Sequence, residues 1–183
     1  MSQTKIAVVI GSLRNDSLNR KLARTITHLA PPDFTFEHVR IDDLPLYNQD
    51  DDGNQAASVK RLKSEISAAD GVVFVTPEYN RSIPGVLKNA IDHVSRPYGQ
   101  NTWAGKPAGV IGVSIGMLGT ALAQQHLRNV LAYLNMPTLA QPEVFIQNKE
   151  GLFDDKGHIA EGSQKFLQGW VDSYVAWVRH HGK

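Results

Sequence analysis

The 183-residue sequence has no cysteine, no excess of either charge and no long apolar run. Without cysteine it can form no disulfide, thiolate metal site or cysteine nucleophile. Its 19 lysines and arginines nearly balance its 18 aspartates and glutamates, for a formal net charge of +1. This balance predicts neither a basic surface for nucleic acid nor an acidic tail for a cationic partner.

The apolar runs are also too short to direct the chain into a membrane. The first, residues 6–10, falls far below the roughly 20 residues that span a bilayer. Only Lys5 stands directly before it, and no small-residue cleavage site follows a longer core, so it predicts a strand and not a signal peptide. We therefore expect a cytoplasmic protein, without membrane insertion, whose residues 1–183 form a single domain.

Short apolar runs alternate along the chain with amphipathic segments. The runs predict strands at 6–10, 34–41, 72–75, 108–113 and 144–146. Apolar residues at three- and four-residue spacing predict helices at about 18–29, 59–69, 84–94, 120–135 and 159–179. The alternation predicts an α/β fold, a doubly wound five-stranded parallel sheet with helices on both faces. Five strands favour the flavodoxin-like order 2-1-3-4-5 over the dinucleotide-binding order.

Polar loops follow the first, third and fourth predicted strands and would meet at the carboxyl edge of the sheet, where ligands bind in such folds. The first loop, residues 11–17, suits a phosphate. Its candidate donors are the side chains of Ser12, Arg14, Ser17 and Asn19. The helix that follows adds free N–H groups and a positive dipole end. An ordinary turn capped by Ser17 or Asp16 explains the same composition.

Other ligand motifs are not matched. Gly11 has no Walker continuation, and Leu13 and Asp16 stand where a Rossmann fingerprint has glycine. The acidic run at 50–52 does not have EF-hand spacing and predicts a solvated loop. The seven histidines fall in no zinc motif, so we predict no metal site.

The second loop, residues 76–80, has few charges and many backbone groups. Backbone groups along such a loop suit the edge of a flat heteroaromatic ring, which carries carbonyl groups and ring nitrogens. A β-turn with Tyr79 packed on the core is the alternative interpretation.

The third loop raises a competing function. Residues 112–116 match the G-x-S-x-G nucleophile elbow, with Ser114 as nucleophile. Asp154 or Asp155, followed by His158 or His180, would complete a hydrolase triad in chain order. Glycines at 116 and 119 predict a longer loop before the helix than an elbow has, and few strands precede Ser114, so this hypothesis is the weaker one.

Together the loops resemble the NAD(P)H-dependent FMN reductase family, the flavodoxin-like group that includes bacterial quinone, chromate and azo-dye reductases. The matching stretches are GSLR at 11–14 with Ser17 and Asn19, DLPLYN at 43–48, TPEYN at 76–80, SIPG at 82–85, LKNAID at 87–92, AGKP at 104–107 and SIGMLG at 114–119. They span nearly the whole chain in the family's order, and the chromate-reducing quinone reductases look most similar.

The resemblance implies a set of flavin contacts. Ser12, Arg14, Ser17 and Asn19 would hold the FMN phosphate. Pro77, Glu78, Tyr79 and Asn80 would line the isoalloxazine, largely through backbone groups, while Ser114 and Gly116 would approach it from the third loop. Many members end that loop with Gly-Gly, whereas this chain has Gly119-Thr120. The roles of Arg81 and Thr120 stay open.

The resemblance also implies an activity. FMN would pass a hydride from NADPH or NADH to a quinone, chromate, an azo compound or free flavin by a ping-pong mechanism. The cofactor carries that chemistry, so no catalytic side chain is assigned. A flavodoxin-like electron carrier or FMN-binding regulator is the alternative, although carriers of this fold are usually strongly acidic.

An oligomer is expected as well, because the family is often dimeric or tetrameric. Arg128, Tyr133 and Glu143 are candidate contact residues, with simple exposure to solvent as the alternative for each.

Overall fold

The computed structural model describes residues 3–154 and 157–182. In chain order the elements are β1 (Thr4–Ile10), α1 (Leu18–His28), β2 (Phe34–Val39), a 3-10 helix (Gln49–Asn54), α2 (Ala57–Ala68), β3 (Gly71–Val75), α3 (Gly85–Val94), β4 (Ala108–Ser114), α4 (Ala121–Tyr133), β5 (Phe145–Gln147) and α5 (Glu161–His181). All strand pairs are parallel, and the sheet order is β2-β1-β3-β4-β5. The predicted flavodoxin-like order 2-1-3-4-5 is confirmed.

The central strand β3 is buried along its whole length, as its run of valines and phenylalanine predicts. Val73 and Val75 face one core, which α1 and α5 cover. Val72 and Phe74 face a second core, beneath α2, α3 and α4. Because helices cover both faces, this is the kind of sheet in which ligands bind at the carboxyl edge.

The long helix α5 lies close to the sheet where a strand lacks a side chain. Trp170 and Tyr174 stack with ring centroids 5.6 Å apart. A Cβ at Gly109 of β4 would lie only 2.8 Å from the Tyr174 ring. The Tyr174 hydroxyl donates to the carbonyl of Pro107 at 3.3 Å, and burial raises the pKa of this tyrosine well above its ordinary value.

The predicted boundaries differ from the structure mainly at the outer elements. Strand β2 ends at Val39 and not at residue 41, and β5 covers Phe145–Gln147, one residue later than predicted. The segment predicted as loop at 42–54 contains the 3-10 helix, whose start is capped by Asn48 accepting from the Asp50 N–H at 3.2 Å. No residue of that short helix is buried, so the acidic run is solvated as predicted.

Across the two described ranges, none of the helices combines the length and the apolar character needed to cross a bilayer. The loops after β1, β3 and β4 meet at the carboxyl edge of the sheet. We call them the first loop (residues 11–17), the second loop (76–84) and the third loop (115–120).

Candidate functional site

The first loop leaves β1 in close contact with the second. The Gly11 N–H donates to the Val75 carbonyl at 2.9 Å, which continues the sheet pairing by one residue. A Cβ at Gly11 would lie 3.3 Å from the side chains of Leu87, Pro77 and Thr76. A larger residue would therefore separate the two loops.

Helix α1 begins with a side-chain cap and an electropositive end. The Ser17 Oγ accepts from the Arg20 N–H at 3.3 Å. The first turn contains no acidic residue. Asp16, just outside the helix, forms an ion pair with Lys21 at 2.7 Å, and a hydrogen bond from Lys21 lowers the pKa of Asp16. A phosphate at this end would therefore meet free N–H groups and no unpaired carboxylate.

Two donors beside this helix end have no partner among the described residues. Ser12 is only 4% exposed, yet its hydroxyl makes no hydrogen bond to any part of the chain that the structure describes. Arg14 is exposed and forms neither a hydrogen bond nor an ion pair there. A free hydroxyl on a largely buried serine, a free guanidinium and the N–H groups of the first turn that Ser17 does not cap fit a phosphate monoester, the anionic end of FMN.

Asn19 has a structural contact that its predicted role did not include. Its amide nitrogen donates to the Val113 carbonyl at 2.9 Å, and its amide oxygen accepts from the Val113 N–H at 3.0 Å. The side chain thus fixes α1 to β4 inside the core. A contact of Asn19 with the phosphate stays a prediction, and only its second amide hydrogen is left for it. One feature of the sequence could have indicated this contact in the core: Asn19 lies on the buried face of α1 with Leu22, Ala23 and Ile26.

The second loop contains a tight hairpin. The N–H of Tyr79 donates to the carbonyl of Ser82 and the N–H of Ser82 to that of Tyr79, both at 3.0 Å. The residues between them have left-handed φ values, 52° for Asn80 and 63° for Arg81. Positive φ at both central positions defines a type I′ turn, whose second position favours glycine. An arginine there costs about 1 kcal/mol. Tyr79 is 46% exposed, so the alternative that it packs on the core is wrong.

Two side-chain contacts hold this hairpin against α4. The Glu78 carboxylate accepts from the Ala123 N–H at 3.0 Å. The Ser82 hydroxyl and the His126 Nδ1 are 3.0 Å apart, one helical turn further along. Thr120 is the N-cap residue of α4 but makes no side-chain cap bond, so Glu78 caps the helix from another loop. Nothing in the local sequence pairs residues 78 and 123, and this positioning role was missed.

A hydrogen bond joins the two ends of the third loop, and the loop packs closely against β5. The Ser114 hydroxyl donates to the Gly119 carbonyl. Gly119 has a φ of 59°, and a Cβ there would lie 2.8 Å from the backbone of β5. The fully buried Thr120 hydroxyl accepts from the Gln124 amide at 2.8 Å, and that amide also donates to the Val144 carbonyl at 2.8 Å. Thr120, whose role was open, therefore bonds Gln124 of α4, and Gln124 joins that helix to the residue before β5.

The tip of this loop is open and apolar. Ile115 is 79% exposed and Met117 86% exposed. Gly116 lies between them, and the nearest atom to a Cβ built there would be the Ser114 Oγ at 3.7 Å. Ser114 and Gly116 therefore lie at the start and at the tip of the third loop, and their contact with a flavin stays a prediction.

The geometry does not support the hydrolase hypothesis. Helix α4 starts at Ala121, seven residues after Ser114, whereas a nucleophile elbow leads directly into its helix. Ser114 makes no hydrogen bond to a histidine within the described ranges. Asp154 and His158 pair with each other at 3.1 Å in an exposed loop. Asp155, the other candidate acid, lies outside the described residues.

The candidate contact residues for an oligomer differ in their surroundings. Arg128 donates to the Leu139 carbonyl at 2.7 Å and has its Nε 3.5 Å from Glu143, and burial lowers the pKa of the arginine. Tyr133 is 77% exposed. Arg128 and Glu143 thus have partners within the chain, while Tyr133 remains on the surface.

Comparisons with known proteins identify the family of this chain. The model of the NADPH-dependent FMN reductase family matches residues 4–151. A 2-hydroxy-1,4-benzoquinone reductase from a Burkholderia species is 53% identical over 176 residues, 96% of each chain. A quinone reductase from Pseudomonas putida is 48% identical over 98% of this chain and 97% of its own.

A solved structure is also similar. FerB, a flavoenzyme NAD(P)H:(acceptor) oxidoreductase from Paracoccus denitrificans, has a TM-score of 0.93 and 47% identity, covering 98% of this chain and all of its own. These findings confirm the predictions of an oxidoreductase, of FMN as cofactor and of NAD(P)H as co-substrate. The chain belongs to the NADPH-dependent FMN reductase family.

Proposed function

We propose that this enzyme is an NAD(P)H:quinone oxidoreductase. One NAD(P)H, one proton and one quinone give NAD(P)⁺ and one hydroquinone, so two electrons are transferred without a further reactant. Bound FMN supplies the hydride chemistry. The observation that carries the proposal is the set of free donors at the start of α1, which matches the phosphate of that cofactor in a chain whose relatives are named quinone reductases.

The protein would bind FMN at the two ends of the cofactor. Ser12, Arg14 and Ser17 would hold the phosphate, with Asn19 as a fourth contact. Pro77, Glu78, Tyr79 and Asn80 would lie along the isoalloxazine through their backbone groups, with Ser114 and Gly116 across from them. Because Glu78 is bonded to α4, the backbone of the second loop would be fixed before the cofactor arrives.

The rim of the cleft suits a flat acceptor. Tyr79 of the second loop and Ile115 and Met117 of the third expose apolar surface, and a quinone ring would bury part of it. The nicotinamide ring would use the same space, so the two substrates would bind in turn, which gives ping-pong kinetics.

The acceptor class would include quinones that carry an acidic hydroxyl, a proposal supported by the similarity to the 2-hydroxy-1,4-benzoquinone reductase from Burkholderia. Chromate, azo compounds and free flavin are further acceptors that a cleft open on one side would admit. We also propose that the enzyme acts in the cytoplasm as a homodimer or homotetramer. Light scattering that gives a monomer mass at every concentration would contradict the oligomer.

The phosphate site can be tested with the double variant Ser12→Ala, Arg14→Ala. Ser17 is left intact because its replacement would also remove the cap of α1. Loss of two charge-assisted hydrogen bonds of about 1.5–3 kcal/mol each predicts that the dissociation constant of FMN rises at least a hundredfold. The measurement is fluorescence titration of the apoprotein with FMN.

The matched control is Arg24→Ala, which removes an exposed arginine on α1 that bonds no side chain within the described residues. It should bind FMN with nearly the wild-type affinity. If the double variant binds FMN as tightly as the wild type while its thermal unfolding is unchanged, the phosphate site is elsewhere.

A further inference from the structure

The tip of the second-loop hairpin carries a charged residue at a position that disfavours it. Arg81 occupies the second central position of the type I′ turn with a φ of 63°. Glycine fits this position and any side chain strains it. Strain of this kind persists only where the surrounding structure holds the backbone in place, and it concentrates at functional sites.

The surroundings do hold this backbone. The Glu78 carboxylate and the Ser82 hydroxyl fix the two arms of the hairpin to the N–H of Ala123 and the ring of His126. The two reciprocal bonds between Tyr79 and Ser82 close the turn. The tip therefore cannot relax without breaking contacts to α4.

The charge of Arg81 is not used within the described part of the chain. The side chain is exposed and makes no hydrogen bond, ion pair or ring contact there. Glu78, the nearest acidic residue in the sequence, is already bonded to the start of α4. A free guanidinium presents a planar set of donors that matches an oxyanion.

We propose that Arg81 is a specificity-determining residue that binds the oxyanion of ionised hydroxyquinone acceptors. This inference rests on the proposed function. A hydroxyl on a quinone ring is a vinylogous carboxylic acid and is ionised at neutral pH, so the acceptor is an anion. Its charge lies on the ring itself, which would bind beside the second loop, whereas the 2′-phosphate of NADPH lies at the opposite end of that molecule from the nicotinamide.

The test compares the wild-type holoenzyme with Arg81→Gly. Glycine fits the left-handed position, so this variant should fold and should melt at a temperature equal to or above that of the wild type. Steady-state rates are measured with 2-hydroxy-1,4-benzoquinone and with neutral 1,4-benzoquinone at the same pH and salt. For each acceptor we determine kcat/KM, and we take the ratio of the anionic to the neutral value. In Arg81→Gly this ratio should fall at least tenfold, because the KM for the anionic acceptor rises.

Two further comparisons separate charge from shape. Arg81→Lys keeps the charge and should retain more of the preference than glycine does. In the wild type, lowering the pH until the hydroxyquinone is protonated should abolish the preference, and added salt should weaken it. Arg24→Ala controls for net charge and should keep the wild-type ratio.

The outcomes that overturn the inference are distinct from those that overturn the proposed function. A ratio in Arg81→Gly within twofold of the wild type would show that Arg81 does not select the acceptor. An unchanged ratio with a raised KM for NADPH would assign Arg81 to the dinucleotide instead. A wild-type holoenzyme that reduces neither quinone with NADPH would remove the proposed function itself, and this inference with it.

Discussion

At the scale of single residues, the site depends on positions where a side chain is absent. A Cβ at Gly112 would lie 2.1 Å from the Thr76 carbonyl oxygen and 2.5 Å from the Thr120 hydroxyl. The strand β4, the second loop and the start of α4 therefore meet at a point that has room for hydrogen only. Gly112 is also the first glycine of the G-x-S-x-G match, so that match has a packing explanation.

This close approach predicts the effect of Gly112→Ala. The backbone of the second loop must shift to admit the methyl group, which should lower the free energy of unfolding by about 3 kcal/mol and weaken FMN binding at the same time. Denaturant unfolding of the apoprotein measures the first effect and FMN titration the second.

Gly169→Ala is the matched control for this substitution. A Cβ at Gly169, an exposed position within α5, would meet nothing within 4 Å. Alanine there should raise the free energy of unfolding by about 0.5–1 kcal/mol, because glycine is unfavourable inside a helix. Equal stability of the two alanine variants would contradict the close approach at Gly112.

Little of this residue-scale geometry can be predicted from the sequence. The proposed phosphate loop could be predicted because Ser12, Arg14 and Ser17 lie close together in the sequence and because capping and phosphate binding follow local rules. The bonds of Glu78 to Ala123 and of Asn19 to Val113 join residues 45 and 94 positions apart. Such pairs depend on how the helices rest on the sheet, which periodicity does not specify.

At the scale of secondary-structure elements, the loops are positioned by links between helices and strands. Asn19 joins the first turn of α1 to β4 through both hydrogen bonds with Val113. The first loop, the proposed phosphate site, is thereby fixed relative to the third loop, which follows β4. Glu78 and Ser82 do the same for the second loop and α4.

The link through Asn19 predicts the consequence of Asn19→Ala. Two buried backbone groups of Val113 lose their partner, which should lower the free energy of unfolding by about 2–4 kcal/mol. Denaturant unfolding measures the loss, and amide hydrogen exchange at Val113 locates it. Asn15→Ala is the control, since Asn15 is exposed and has no partner in the described residues. If both variants unfold like the wild type, Asn19 does not fix α1 to β4.

Elements were predictable where the sequence repeats a pattern for long enough. All five strands and five helices were predicted, because buried runs such as Gly71–Val75 and apolar stripes such as that of α1 follow directly from burial. The 3-10 helix at Gln49–Asn54 was missed, since no buried residue marks it. The end of β2 was misplaced because Ile41 is buried in the core although it lies beyond the strand, which ends at Val39.

At the scale of the whole molecule, one sheet brings the three loops to a common edge. The order β2-β1-β3-β4-β5 makes β1 and β3 neighbours and β3 and β4 neighbours, so the loops after these strands adjoin in space although up to about a hundred positions separate them in the sequence. The fold was predicted from alternation alone, and the cofactor from the resemblance of the loops. The identity of the acceptor follows neither from the alternation nor from the resemblance, because it depends on the exposed residues of the second and third loops.

The central claim, that this protein is a flavoenzyme reduced by NAD(P)H, is tested most directly by visible absorbance. The purified protein is saturated with FMN, desalted, and then mixed with NADPH without oxygen. The account predicts oxidised-flavin bands that survive desalting, bleach with NADPH and return when a quinone is added. A protein that stays colourless after desalting, or whose bands neither NADPH nor NADH bleaches, would contradict it.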